Sequence, residues 1–327
     1  MDREVTLMEM LEAREVRAGR QRELLERYAR PVVSFTLNIA GPVKNGPVIR
    51  RAFREGLLRL EDALAARGLR PLHQEEVNRP TGCEALWAVD GPARTGKELC
   101  AGIEDRDPLG RLFDLDVLDP EGGKWDREAL GLPPRPCLVC GKAGKGCASR
   151  RLHPVEEIQG KTQAILRDFF AEKDRKFLAA QGARALLYEV CTTPKPGLVD
   201  RHNNGSHKDM DVFTFLDSTA ALLPYLERAA AIGQETARRM PEETFERLRE
   251  AGLGAERTML RATGGLNTHK GAIFSLGCVL GACGRLWTPE GPCREPEEIL
   301  AECGRMSAPA AEGFFAALTR ENARTAG

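Results

Sequence analysis

PVVSFTLNIAG, Pro31 to Gly41, alternates along its length: Val33, Phe35, Leu37 and Ile39 take one side, and Val32, Ser34, Thr36 and Asn38 the other. A period of two makes a strand with one buried face and one largely polar face. Its surroundings set the fold class. Leu7 to Tyr28, just before it, is patterned as a charged, amphipathic helix. After it, GPVKNGP turns the chain into a helix from about Val48 to Arg67. Further strands are expected at Leu69 to Val77, at Glu84 to Asp90 and in GRLFDLDVLD, with a short helix from Ala93 to Glu104 between the last two. That order, β-α-β-β-α-β behind a leading helix, predicts an α+β domain with a split βαβ, ferredoxin-like sheet. Helices would cover one face and leave the other open for a ligand.

The character changes further along. Gly131 to His153 is rich in Pro, Gly and Cys and reads as a boundary or an appended knuckle. From Glu156 onward the periodicity is helical, in EEIQGKTQAILRDFFAEKDRKFLAAQ and ARALLYEV, then Val212 to Ile232, Glu242 to Glu250, Thr268 to Leu286 and Glu295 to Thr319. Two domains are therefore expected, 1–155 and an all-α 156–327.

Formal net charge is zero, so no global field draws in nucleic acid or anionic lipid, and neither is an expected partner. The N-terminal segment has no apolar core of the secretory kind, and no run of eighteen apolar residues occurs. Ten cysteines without an export signal argue for reduced thiols, metal ligands or catalysis. A cytoplasmic protein is expected.

Asp114 and Asp116 lie two apart on a strand, so both project from one face. Adjacent carboxylates of this kind are tolerated when a divalent cation neutralises them, as in nucleotidyl transfer; a solvated strand with scattered acids is the plain alternative. Glu84 is a candidate third carboxylate. Lys44, Arg50 and Arg51 stand near a helix start, where the dipole disfavours cations unless an anion binds. Solvated cations are the plain alternative. Cys137, Cys140, Cys147 and His153 read C-x2-C-x6-C-x5-H, the ligand set of a structural zinc knuckle, against free thiols.

In the second half, GLVDRHNNGSHKDMD (Gly197 to Asp211) gathers Asp200, His202, His207, Asp209 and Asp211 between turn-forming residues. The aspartates suit Mg2+ and the histidines suit acid–base work; the alternative is a polar loop whose last acid caps the next helix. TGGLNTHKGAIFSLG lacks a Walker A pattern. Its Gly264, Gly265, Asn267, His269 and Lys270 nonetheless suit phosphate at a helix start, with help from Lys195, Arg201 and Lys208.

These segments carry a family likeness. From roughly Arg20 to His153 the chain resembles the citrate lyase holo-acyl-carrier-protein synthases, through SFTLNIAGPVKNGPVIRRAF, TGCEALWAVD, GRLFDLDVLD and LGLPPRPCLVCG. The second half is similar to the start of the triphosphoribosyl-dephospho-CoA synthases, through EVCTTPKPGLVDRHNNGSHKDMDVFTF and ATGGLNTHKGAIFSLG. The resemblance implies a bifunctional enzyme. Its second half would join ATP and 3′-dephospho-CoA with release of adenine. Its first half would move the phosphoribosyl-dephospho-CoA group to a serine of the citrate lyase acyl carrier (gamma) subunit, expelling pyrophosphate. NIAGPVKNGP and GCEALWAVD favour citrate lyase over the malonate decarboxylase branch. On chemical grounds, Asp114 and Asp116 would hold Mg2+ with help from Glu84, while Lys44, Arg50 and Arg51 would bind phosphates. Asp200, Asp209 and Asp211 would be Mg2+ ligands, and His202 or His207 would move protons. The synthase-like half is shorter than is usual for that family. The alternatives are therefore a transferase working alone and a non-enzymatic carrier-binding assembly factor.

Overall fold

Strand β1 (Val32–Leu37) is the centre of a five-stranded sheet, flanked by β3 (Gly82–Asp90) and β4 (Phe113–Leu118). β2 (Arg70–Arg79) and a two-residue β5 (Lys124–Trp125) complete the order β2-β3-β1-β4-β5, with every neighbouring pair antiparallel. The computed structural model describes residues 3–121, 123–142, 147, 150, 152–292 and 294–317. The expected helix end at Thr319 lies outside them.

Two helices, α2 (Pro47–Ala66) and α3 (Ala93–Asp105), serve the buried face. Pro47 opens α2, where a missing N–H costs nothing. Phe35 stacks on Phe53 of α2, with ring centroids 4.8 Å apart, and meets the edge of Phe113 from β4. A Cβ at Gly56 would collide with the Phe35 ring, so glycine lets α2 lie against the sheet.

The second face is not left open. α1 (Leu7–Tyr28), begun by a Thr6–Glu9 capping box, buries Leu24 and Leu25 against Val32 and Leu86, on the face that alternation marked as largely polar. Arg17 of α1 pairs with Glu84, and Arg20 with Glu75. The expectation of helices on one side only is corrected here. Val32, Ser34 and Leu86 are all buried, and α1 covers that end.

β5 pairs only with Val117 and Leu118, so the outer edge of β4 needs other partners. Side chains supply them. Glu104 accepts the Leu115 N–H at 2.9 Å, Lys97 donates to the Leu115 carbonyl at 2.8 Å, and Arg135 donates to the Phe113 carbonyl at 2.8 Å.

The chain divides into two compact units, Met1–Phe169 and Phe170–Gly327. The division falls within α4 (Val155–Cys191), one continuous helix where two helical pieces were expected. The second unit is helical: the rest of α4, then α5 (Val212–Thr236), α6 (Pro241–Ala262), α7 (Lys270–Arg285) and α8 (Pro296–Ala317). α6 runs through Gly252 and Gly254, past the expected stop at Glu250. α5 and α7 meet backbone to backbone. A Cβ at Gly233 would fall on the Gly281 carbonyl, and one at Gly284 on the Ala230 carbonyl. Among the described residues no helix is long and apolar enough to cross a membrane.

Candidate active site

In the first unit, Glu84, Thr36 and Asp114 stand in one cross-strand row, and Leu86, Ser34 and Asp116 in the next. Two strand spacings separate the Glu84 and Asp114 backbones by roughly 10 Å. Glu84 is held by Arg17. Asp116 pairs with the exposed Lys124 at 2.7 Å. Asp114 is exposed and has no hydrogen bond or ion pair among the described residues.

A cavity of about 1150 Å³ opens beside β4, with Asp114, Asp116 and Asn38 in its wall. Its cations are Lys97, Arg111, Lys124, Arg127 and Arg135. The sequence reading singled out none of these. Most are already committed: Lys97 and Arg135 cap the β4 edge, and Arg127 pairs with Asp105 at 2.6 Å. Arg111 differs. One guanidinium nitrogen donates to the Pro136 carbonyl, while its buried Nη1 has no partner among the described residues. Burial, and then the neighbouring Arg135, push its pKa down. Arg111 remains charged at any ordinary pH, so this is a cation in want of an anion. The hint lay in GRLFDLDVLD itself, where Arg111 precedes Asp114 by three residues. Glu104, nearby and almost fully buried, has its pKa raised, because burial outweighs Arg135.

Lys44, Arg50, Arg51 and Glu84 do not line this cavity. Lys44 donates to the Ile39 carbonyl, and burial followed by Arg14 lowers its pKa. Arg50 donates to Asn45 Oδ1 at 3.1 Å, and Asn45 in turn donates to Asn78 Oδ1 at 2.6 Å, so the start of α2 faces the β2–β3 hairpin.

Cys137, Cys147 and His153 are in the same cavity wall. Ligand atoms of Cys137, Cys140, Cys147 and His153 all lie within 4.8 Å of one another, the one such convergence among the described residues. All three thiols are free. The Lys142 N–H, then His153, lower the Cys140 pKa; Cys140 in turn raises that of Cys147.

In the second unit, the aspartates of Gly197–Asp211 point to separate tasks. Asp200 is buried and accepts from the Thr193 hydroxyl at 2.6 Å and from the His202 and Asn203 N–H groups at 2.8 and 3.0 Å. In that order, these bonds hold its pKa far below the usual carboxylate range. Asp211 N-caps α5, accepting from the Thr214 N–H at 3.0 Å. Asp209 is exposed, 3.9 Å from His207, and His202, Arg201 and Lys208 are also exposed. Lys195 pairs with Glu189 at 2.7 Å.

Gly264 and Gly265, at φ 66° and 95°, turn the chain towards α7. Asn267 Oδ1 accepts the Lys270 N–H at 3.2 Å, and Lys270 pairs with Glu256 at 2.8 Å. His269 is buried at this helix start. The Thr268 hydroxyl donates to Ser218 Oγ at 2.7 Å, which leaves the Ser218 proton for His269 Nδ1 at 2.8 Å. The ring proton is thereby assigned to Nε2, which is buried without a partner among the described residues. Burial is the main cause of its lowered pKa. Ser218 and Thr268 escaped the sequence reading, since one hydroxyl on a helix and one in a loop signal nothing by themselves.

Two family models match in tandem: apo-citrate lyase phosphoribosyl-dephospho-CoA transferase over residues 5–169, and ATP:dephospho-CoA triphosphoribosyl transferase over 175–326. The chain is 39% identical over 285 residues to the protein named CitXG of Haemophilus influenzae, covering 86% of this chain and 60% of that one. It is 37% identical over 287 residues to the protein of the same name from Leuconostoc mesenteroides subsp. cremoris, covering 85% and 61%. It is also 36% identical over 164 residues to an apo-citrate lyase phosphoribosyl-dephospho-CoA transferase of Escherichia coli O7:K1, covering 50% of this chain and 90% of that one. The chain thus spans about three fifths of the length of the relatives named CitXG.

Proposed function

This chain belongs to the apo-citrate lyase phosphoribosyl-dephospho-CoA transferase family, and on that footing we propose that its first unit performs the transfer in the cavity beside β4. The serine oxygen of the citrate lyase acyl carrier subunit would attack the phosphorus next to the ribose of 2′-(5″-triphosphoribosyl)-3′-dephospho-CoA. A new P–O bond forms, the bond to pyrophosphate breaks, and the serine proton is lost. The observation that carries the reading is the exposed, unpaired Asp114 beside Asp116 in a cavity that also presents the unpartnered Arg111 Nη1.

Asp114 and Asp116 are suited to Mg2+, since one is unpaired among the described residues and the other holds only an exposed lysine. When bound, the ion would offset the charge of the triphosphate. Arg111 would hold a phosphate oxygen. Lys97, Glu104 and Arg135 fix the strand that carries the aspartates. Lys44, Arg50 and Arg51 are assigned a more distant part of the donor, and Glu84 the positioning of Arg17. A ferredoxin-like description of the sheet belongs to the same proposal, since the order β2-β3-β1-β4 is compatible with it. So do domain limits of 1–155 and 156–327.

The second unit is proposed to make the donor. The 2′-hydroxyl of 3′-dephospho-CoA attacks the anomeric carbon of ATP, and adenine leaves and takes up a proton. Gly264, Gly265, Asn267, His269 and Lys270 would receive phosphate, with help from Lys195, Arg201 and Lys208; His202 or His207, both solvent-accessible, would move the protons. A second reading, in which only the first unit turns over, is favoured by the dispersal of Asp200, Asp209 and Asp211.

The test is to incubate the chain with ATP, 3′-dephospho-CoA, Mg2+ and the apo carrier, following adenine by chromatography and the carrier by intact mass. Adenine release and a heavier carrier are the expected pair. A heavier carrier only when ready-made donor is added supports the second reading. An unchanged carrier under both conditions, with folded protein, overturns the proposal and leaves a carrier-binding role.

A further inference from the structure

We propose that Cys137, Cys140, Cys147 and His153 hold one structural zinc ion, with His153 Nε2 as the imidazole ligand atom. The reading rests on the geometry of the cluster and is independent of the transfer reaction.

Four ligand atoms within 4.8 Å of one another leave room for a single small cation and little else. Zinc bonded to sulfur at roughly 2.3 Å and to nitrogen at roughly 2.0 Å sets tetrahedron edges of about 3.5–3.8 Å. The Cys140 and Cys147 sulfurs are 3.5 Å apart.

The histidine gives a separate indication. His153 Nδ1 faces Glu157 Oε2 at 3.3 Å, and Nε2 is buried with no hydrogen-bond partner among the described residues. A ligating imidazole is arranged this way: one nitrogen bonds the metal and the other donates to a carboxylate that sets the tautomer. Without a metal, the buried Nε2 makes no hydrogen bond of its own among the described residues.

The backbone supports the first two ligands. Gly141, at φ 71°, donates to the Cys137 carbonyl at 3.0 Å, and the Cys137 N–H donates to the Lys142 carbonyl at 2.6 Å. This closes a tight loop around Cys137 and Cys140.

Three sulfurs and one nitrogen select zinc over Mg2+ or Ca2+, which prefer oxygen. Four protein ligands leave no open position, so the site is structural. On binding, three Zn–S bonds and one Zn–N bond form, the thiols release their protons, and nothing is oxidised or reduced. Arg135, two residues before Cys137, caps the β4 edge, so the ion would fix the segment that closes the cavity.

The full chain, purified without chelator, should carry about one zinc by elemental analysis. Its cobalt-substituted form should show the visible bands of a tetrahedral, sulfur-rich site. C140S should lower the zinc content at least about tenfold, and E157Q should keep zinc on isolation but bind it about 10–100-fold more weakly in competition with a chelator. E157Q leaves all four ligands in place, so it answers the question even where C140S fails to fold. Folded wild-type chain that contains no zinc and takes up neither Zn2+ nor Co2+ on titration would overturn the proposal. So would E157Q and C140S both binding zinc as the wild type does.

Discussion

Asp200 and Asp114 each lie in a short segment that also carries a second acid and an arginine, and the fold uses them in opposite ways. Asp200 is buried, and its oxygens accept from the Thr193 hydroxyl and the backbone of the loop that holds it. Asp114 is exposed, beside Asp116, on the wall of a cavity. Within the titratable residues of Gly197–Asp211, Asp200 and Asp211 therefore serve the loop and the helix that follows it. The sparser Phe113–Leu118 is a strand that leaves Asp114 unpaired among the described residues and Asp116 held only by the exposed Lys124. Available lone pairs, rather than the number of acids, separate a site from a scaffold.

The strongest test of this contrast sets D114N and D116N against D200N. Each of the first two should slow carrier modification from ready-made donor by about 10²–10³-fold with unchanged melting temperature, since each removes a carboxylate expected to hold the cation. D200N should leave that rate unchanged. A transfer rate that falls with D200N and not with D114N would break the comparison. Next in size is R111A. Loss of a charge-assisted bond to phosphate should reduce kcat/KM for the donor by about 10–100-fold, read from initial rates over a range of donor concentrations.

How much of this was legible varies with the distance over which each feature is determined. α1 was read to the residue, because helical spacing is a local signal. The alternation of β1 and the positions of β3 and β4 came from the same kind of signal. What α1 rests on could not be read. Val32 and Leu86 attract Leu24 and Leu25 only once β1 and β3 are paired. The two residues of β5 are too short for any period. The cavity's cations were missed for the same reason. Arg135 reaches the carbonyls of Gly110, Arg111 and Phe113 across more than twenty residues of chain. The Cys/His cluster was legible because its spacing is itself the signal.

Two smaller effects sharpen the contrast through pH. Asp200 has a lowered pKa, so its contribution to stability is complete above the ordinary carboxylate value, near pH 4, and is lost as pH falls further. Thermal unfolding of D200N should show a lower melting temperature at pH 7 and a weaker acid-dependent decline than the wild type. His269 is held neutral by burial, so the folded chain binds fewer protons there than the unfolded chain. Its contribution is present above about pH 6.5 and diminishes below that. H269Q should flatten that slope, the smallest change of the series, measured by melting temperature from pH 5.5 to 7.5.

The most direct test of where transfer occurs is hydrogen–deuterium exchange of the full chain with and without the triphosphoribosyl-dephospho-CoA donor and Mg2+. Protection at 110–118 and 124–136, around Arg111, Asp114, Asp116 and Arg135, is the expected result. Protection confined to 44–51 at the start of α2, with the β4 segment unchanged, would contradict it and move the site to Lys44, Arg50 and Arg51.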